Sequence, residues 1–349
     1  MTYCAGWKYA DSIFLLADTA VTKPSRPTSP YSSFGELHAE VRGEHVEESL
    51  LKLVPIAPGT AVAFAGNVQL AREVIEFLKS NYRDVTPIDQ LFSSVTASLG
   101  PFESTRAVEV IFARSKSAGD SCLVQWDTIR GLNPQKSDYY QIGSLTSYHA
   151  AITLGVLSLL IRGKVPSERL LPIISAVVQS YGVHDNLIDM NIGGIIFGLR
   201  VEGGSLFWQD DTNYVLYDPS FANISYASAF VRDHVLVVNS SLTNEVRAFA
   251  HSVSMPSSQV WRSCWEGYIK THVRSDQYRY WVFLSTLGKV ITVARREGFE
   301  NVSKFVRLVA GQDDKFTISM SSELMSVLQK PLMDRRDGTL PFRLNCLND

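Results

Sequence analysis

The chain has little that could be cross-linked or metallated. Only four cysteines occur in 349 residues, Cys4, Cys122, Cys264 and Cys346, and they lie far apart. That spacing shows no paired metal-ligand pattern, and free thiols in a reducing compartment are its simplest account. Long apolar runs are missing as well. The most apolar helical stretch, Ala150 to Ile161, falls short of the ~20 residues that cross a bilayer. No basic segment followed by an apolar one opens the chain, so no membrane association is expected and a cytoplasmic location is. Net charge is only −2, and the molecule as a whole offers no electrostatic case for nucleic acid. Phosphate-cradling glycine loops and the ligand spacings of deaminases are also absent, and neither a metal nor an organic cofactor is expected.

What is present is the composition of a folded protein, 45% hydrophobic and 19% charged. Its length suffices for one substantial core and a second.

The opening stretch carries the first chemistry. Thr2 stands directly behind Met1, and a hydrophobic run, Ile13-Phe14-Leu15-Leu16-Ala17, ends at the carboxylate of Asp18. Removal of Met1, which a small second residue permits, would leave Thr2 with both a hydroxyl and a free α-amine. Such an amine titrates near pKa ~8 and can serve as base for its own hydroxyl. Residues 3 to 17 become nearly continuous in apolar side chains, which suits a strand covered on both faces, as in two packed sheets with helices outside.

Lys52 heads a second segment, Lys52-Leu53-Val54-Pro55-Ile56, which turns at Ala57-Pro58-Gly59 into Thr60 to Gly66. A buried ammonium here would stabilise an alkoxide and keep a neighbouring amine neutral. The alternatives are a snorkelling edge lysine, or a helical, exposed pair with Glu48, four residues earlier. Pro55 and Pro58 favour the strand.

With these residues in view, the chain resembles the proteasome β-type subunits of the N-terminal-nucleophile hydrolase family, and its opening is especially similar to the bacterial branch called Anbu. The shared features are Ala17-Asp18-Thr19 after a threonine-led strand, Lys52, Gly66 after the next strand, Gly143-Ser144, and Asp189 ahead of Ile192-Gly193. The resemblance spans about residues 2 to 220. It implies an α+β fold, a four-layer αββα sandwich with a C-terminal extension, and a catalytic set of Thr2, Asp18, Lys52, Gly66, Ser144 and Asp189. In that set the Gly66 N–H is the oxyanion donor. Three features differ from the family: the segment between Asp18 and Lys52 is longer, Ile192 stands where a serine is expected, and Leu145 replaces a glycine.

The rest of the chain supplies the frame. Residues 23 to 35 hold three prolines and five Ser or Thr residues and read as an extended loop, either the rim of a cleft or a subunit-contact arm. Val68 to Lys79 has one apolar face, and Thr86-Pro87 reads as the cap of a following helix. Strands follow at Ala107 to Ala113 and Cys122 to Trp126. Ser144 sits at a strand-to-helix junction, where capping and support of the Thr2 amine are both open; His149 reads as a packed or half-exposed helix residue rather than a base. A helix that begins at Val165-Pro166-Ser167-Glu168 and runs to Tyr181-Gly182 is followed by His184 and Asp185 in a loop, where Asp189 is either an orienting group or a loop or cap carboxylate. Strands are expected at Ile195 to Leu199, Phe207-Trp208 and Tyr214 to Tyr217.

Beyond residue 220 the resemblance stops. Val235 to Asn239 and Phe316 to Ile318 read as strands, Glu323 to Leu328 as a helix, and the tail after Pro331 as a charged loop. The aromatic and basic stretch from Val260 to Trp281 could stack bases, but Glu266 and Asp276 dilute its charge, and a partner or subunit contact is the stronger reading. The sequence therefore points to a threonine-dependent peptidase that assembles from identical subunits and acts on peptide or protein substrates. Its rivals are a catalytically inactive structural or regulatory member of the same fold, and a protein-binding factor that uses residues 221–349.

Overall fold

A computed structural model describes residues 2–347 except 25, 27–30, 36–39, 42, 104–105, 118, 145, 186, 188–191, 233, 243–244, 251–277, 297–303, 311–315 and 334–342. The nearly continuous apolar opening forms not one strand but a hairpin, β1 (Tyr3–Tyr9) and β2 (Ser12–Ala17), which turns at Ala10 with φ of 52°. It is paired from Cys4 opposite Ala17 to Tyr9 opposite Ser12. Then come β3 (Ala20–Lys23), β4 (Glu40–Val41), β5 (Glu44–Glu48), β6 (Leu53–Ala57), β7 (Thr60–Gly66), α1 (Val68–Asn81) and α2 (Ile88–Leu99). The middle of the chain adds β8 (Val108–Ser115), β9 (Ser121–Asp127), β10 (Gly131–Leu132), β11 (Tyr139–Gly143), α3 (Ser147–Arg162) and α4 (Ser167–Asp185). Further strands are β12 (Phe197–Glu202), β13 (Ser205–Trp208), β14 (Thr212–Tyr217), β15 (Ile224–Arg232), β16 (Val235–Ser240) and β17 (Glu245–Ala250). The chain closes with β18 (Tyr280–Ser285), β19 (Val290–Arg295), β20 (Val306–Ala310), β21 (Phe316–Met320), α5 (Ser322–Met333) and β22 (Arg343–Leu347).

The protein is a mixed α+β structure built largely on antiparallel sheets. One five-stranded sheet runs β11-β1-β2-β12-β13, a second runs β10-β9-β8-β7-β6, and β3, β5 and β4 form a small third. The first two face each other, with Ala5, Leu15, Ala63, Ile111 and Leu123 in one shared core. Burial on both faces is why β2 reads as an unbroken apolar run. On the outer side of the second sheet, Leu70, Val74 and Leu78 of α1 and Leu91, Phe92 and Val95 of α2 pack on Val62, Phe64, Phe112 and Trp126. Thr86 does not cap α2: the helix begins after Pro87 with no side-chain cap, and Asn67 caps α1 by accepting from the Leu70 N–H at 2.9 Å. The first sheet is covered by α4, which packs on β2 and β12 and pairs with α3.

A seven-stranded sheet, β17-β16-β15-β14-β18-β19-β22, makes up most of the C-terminal half, with parallel pairs at β14–β18 and β19–β22. One face contributes Tyr214, Leu216, Leu236, Val282, Leu284 and Ile291 to the same core as α4. The other buries Trp281, Phe283 and Val237 under Leu324 and Leu328 of α5 and Met320 of β21. Residue 220 lies in the turn between β14 and β15, which are neighbours in this sheet. The tail after Pro331 is not all loop, since Arg343–Leu347 adds as strand β22. Tyr278 and Trp281 from the aromatic stretch are fully buried in the core, whereas Val260 to Tyr268, Cys264, Lys270 and Arg274 lie outside the described residues.

Candidate active site

Thr2 immediately precedes β1, with 3% of its surface exposed. Its carbonyl oxygen accepts a 2.7 Å hydrogen bond from the Ser144 backbone N–H. Beside it Gly143, opposite Tyr3 in the β1–β11 register, has φ of +93°, and a Cβ there would stand 1.7 Å from the Thr2 oxygen. Only glycine lets β11 come this close. The Gly143 N–H is in turn held by Glu109 Oε2 at 3.1 Å, and Glu109 is opposite Ala65 in β7, one residue before Gly66. Ser144 thus serves through its backbone. It does not cap α3, because Thr146 does, its Oγ1 accepting from the His149 N–H at 3.3 Å.

Asp18 follows β2 and has no exposed surface. Its Oδ1 accepts from the Tyr3 N–H at 3.2 Å and from Lys52 Nζ at 2.5 Å, and Oδ2 accepts from the Gly193 N–H at 3.2 Å. Lys52 is 1% exposed, and its ammonium also donates to the Ala20 carbonyl. The alternative of a helical, solvent-facing Lys52 paired with Glu48 is therefore overturned: Glu48 ends strand β5 and points inward, and the cation turns to Asp18. Burial pushes the Asp18 carboxyl up, and the Lys52 charge with three hydrogen bonds pulls it back only in part, so it stays above the ordinary value.

Two groups that sequence reasoning missed hold the backbone opposite Asp18. Glu48, 3% exposed, accepts from the Ile195 N–H at 3.0 Å and from Thr19 Oγ1 at 3.2 Å. From the other side Gln179 of α4 donates to the Gly194 carbonyl at 2.9 Å and accepts from the Ile196 N–H at 2.8 Å. A signal for each exists in the sequence. Val46 is two residues before Glu48, and alternation puts both on one face of β5; Ser175 and Gln179 are four apart in a helix otherwise apolar there, so they share its buried side. Ile192 is fully buried, while Asp189, Asn191 and Leu145 lie outside the described residues.

Of the packed and half-exposed readings of His149 the structure shows the packed one, and the ring is also hydrogen-bonded at both nitrogens. Its Nδ1 lies 2.8 Å from Thr146 Oγ1 and its Nε2 3.1 Å from Asp185 Oδ2, while Lys289, between β18 and β19, donates to Asp185 Oδ1 at 2.9 Å. His184 and Asp185 end α4 and are not in a loop. Cys4, next to Tyr3, donates its thiol to the Phe64 carbonyl at 3.2 Å, and burial pushes that thiol far up, so it is no nucleophile at neutral pH. Among the described residues no group of three or more His, Cys, Asp or Glu side chains is placed to hold a metal ion, and no helix is long and apolar enough to cross a membrane.

No protein-family model matches the chain, and no curated protein matches it.

Proposed function

We propose that the chain is a proteasome β-type N-terminal-nucleophile hydrolase of the Anbu kind, its facing sheets and flanking helices forming a four-layer αββα sandwich. One observation carries the reading: a fully buried Lys52–Asp18 pair lies against the strand that Thr2 leads, with Asp18 accepting from the N–H of the very next residue, Tyr3. Desolvating an ammonium and a carboxylate is expensive for a fold and is most at home where charge has work to do.

After loss of Met1, Thr2 Oγ attacks an amide carbon and the Thr2 α-amine takes the hydroxyl proton, later returning it to the leaving amine. Two of the three Lys52 protons go to Asp18 and the Ala20 carbonyl, leaving one N–H for the alkoxide. The same positive charge disfavours protonation of the amine beside it. The Gly66 N–H holds the developing oxyanion and the Ser144 N–H fixes the Thr2 carbonyl, while orienting the amine is the role the family resemblance assigns to Asp189. The substrate is a peptide or protein, the working form an assembly of identical subunits, and the C-terminal half a surface for partner contact.

Intact-mass analysis before and after a peptide epoxyketone tests this. The expected result is loss of Met1 and one adduct at Thr2, abolished in Thr2→Ala and kept in Thr2→Ser. A second reading has its own observation: Ile192, fully buried and apolar, supplies no hydroxyl where the family has one. Retained Met1 with no adduct would favour an inactive structural or regulatory subunit.

A further inference from the structure

We infer that Glu48 is a positioning residue for Asp18, and through it for Thr2, because it clamps together the two backbone segments that hold the Asp18 carboxylate. The part concerning Thr2 rests on the hydrolase reading above; the part concerning Asp18 does not. Glu48 Oε1 accepts from Ser33 Oγ at 2.8 Å, the Ile195 N–H at 3.0 Å and Thr19 Oγ1 at 3.2 Å, and Oε2 accepts from the Ser33 N–H at 2.6 Å. Thr19 is the residue after Asp18, and Ile195 is two beyond Gly193, whose N–H holds Asp18 Oδ2. The Thr19 N–H closes the loop by donating to the Gly193 carbonyl at 3.3 Å. Both flanks of the catalytic carboxylate therefore converge on one side chain.

The fit is close. At Gly194, with φ of +71°, a Cβ would lie 2.5 Å from Thr19 Oγ1 and 2.6 Å from Glu48 Cδ, so the carboxylate occupies space that any other residue would fill. Thr19 has a single hydroxyl proton, shared between Glu48 Oε1 and the Ile195 carbonyl at 3.2 Å each. A carboxylate only accepts, so it aligns every donor that meets it. The same side chain reaches the C-terminal half: the Ser33 carbonyl accepts from Ser240 Oγ, at the end of β16, at 2.6 Å.

The test compares Glu48→Ala, Glu48→Asp and Glu48→Gln in the full chain. Amide hydrogen exchange is read at Tyr3 and Gly193, with Val110 and Phe112 of β8 as controls, and peptide epoxyketone labelling of Thr2 is read as a maximal rate and a half-saturating concentration. Glutamine keeps an oxygen for three of the four contacts but sets an amide against the Ser33 N–H; aspartate keeps the charge but is too short to span. The expected order of loss is Ala, then Asp, then Gln. The maximal labelling rate falls about 30-fold in Ala and about threefold in Gln, the half-saturating concentration stays within about twofold, and exchange at Tyr3 and Gly193 accelerates about tenfold or more in Ala. Should Ala fail to fold, Asp decides, with an intermediate loss expected in both readouts. Unchanged exchange at Tyr3 and Gly193, or an equal rise at Val110 and Phe112, would overturn the inference. Accelerated exchange confined to Tyr3 and Gly193, in a protein whose wild type never labels, would uphold the Asp18 clamp and overturn the hydrolase reading.

Discussion

Taking away the Lys52 ammonium would strand Asp18 as a carboxylate inside the core. Lys52→Met is expected to destabilise the fold by about 3–5 kcal/mol, and Asp18→Asn in the same chain to restore part of that, because no uncompensated charge then remains. Urea denaturation of both variants checks this. Gly143→Ala is a second case, since its Cβ would enter the Thr2 carbonyl at 1.7 Å in a left-handed backbone. A loss of about 3 kcal/mol or more and of Thr2 labelling is expected. Single residues differ in how well the sequence announces them. Thr2, Asp18 and Lys52 stand at the ends of apolar runs, where a charge or hydroxyl stands out. Glu48 sits in an acidic stretch, Glu44 to Glu48, whose composition suggests a surface and hides the one member that alternation turns inward.

At the scale of elements, α3, α4 and the β18–β19 turn meet at His149, Asp185 and Lys289. Burial raises the Asp185 carboxyl, but the bonds and charges of Lys289 and His149 outweigh it and hold the group below its ordinary value. A carboxyl depressed on folding stabilises fully above its unfolded pKa of about 3.9, and that contribution is lost as pH falls through the folded value. Thermal melts should therefore show the deficit of Lys289→Met relative to wild type at about pH 6, shrinking toward about pH 3. Elements with a clear period were legible: α1 was expected from Val68 to Lys79 and spans Val68–Asn81. The β1–β2 turn was not. It runs through Tyr9-Ala10-Asp11-Ser12 with alanine in the left-handed position, a place where glycine or asparagine usually marks a hairpin. β22 escaped notice because a short edge strand completing a sheet in parallel needs almost no pattern of its own.

For the whole molecule the decisive strand is β14. It has β15 on one side and β18 on the other, and one core runs from Leu15 through Leu171 to Val282 and Ile291. A chain ended at residue 220 would keep β14 without either neighbour and expose that core, so it is expected to be insoluble or to lack a cooperative melt by circular dichroism. The α+β class was legible because apolar runs and amphipathic helices alternate along the first half. How far the C-terminal sheet shares the core was not, since pairing partners distant in sequence leave no local trace.

The parallel pairing of β14 with β18 also sets an order of events during synthesis. Thr212–Tyr217 leaves the ribosome well before Tyr280–Ser285, and until the later strand is made the earlier one lacks half of its ladder. Ser240 and Lys289, which hold Ser33 and Asp185, arrive late as well. A nascent chain thus presents its first hairpin early and completes the contacts that steady Ser33 and Asp185 last; on the hydrolase reading proposed above, the polypeptide is finished before Thr2 is in a position to cut anything.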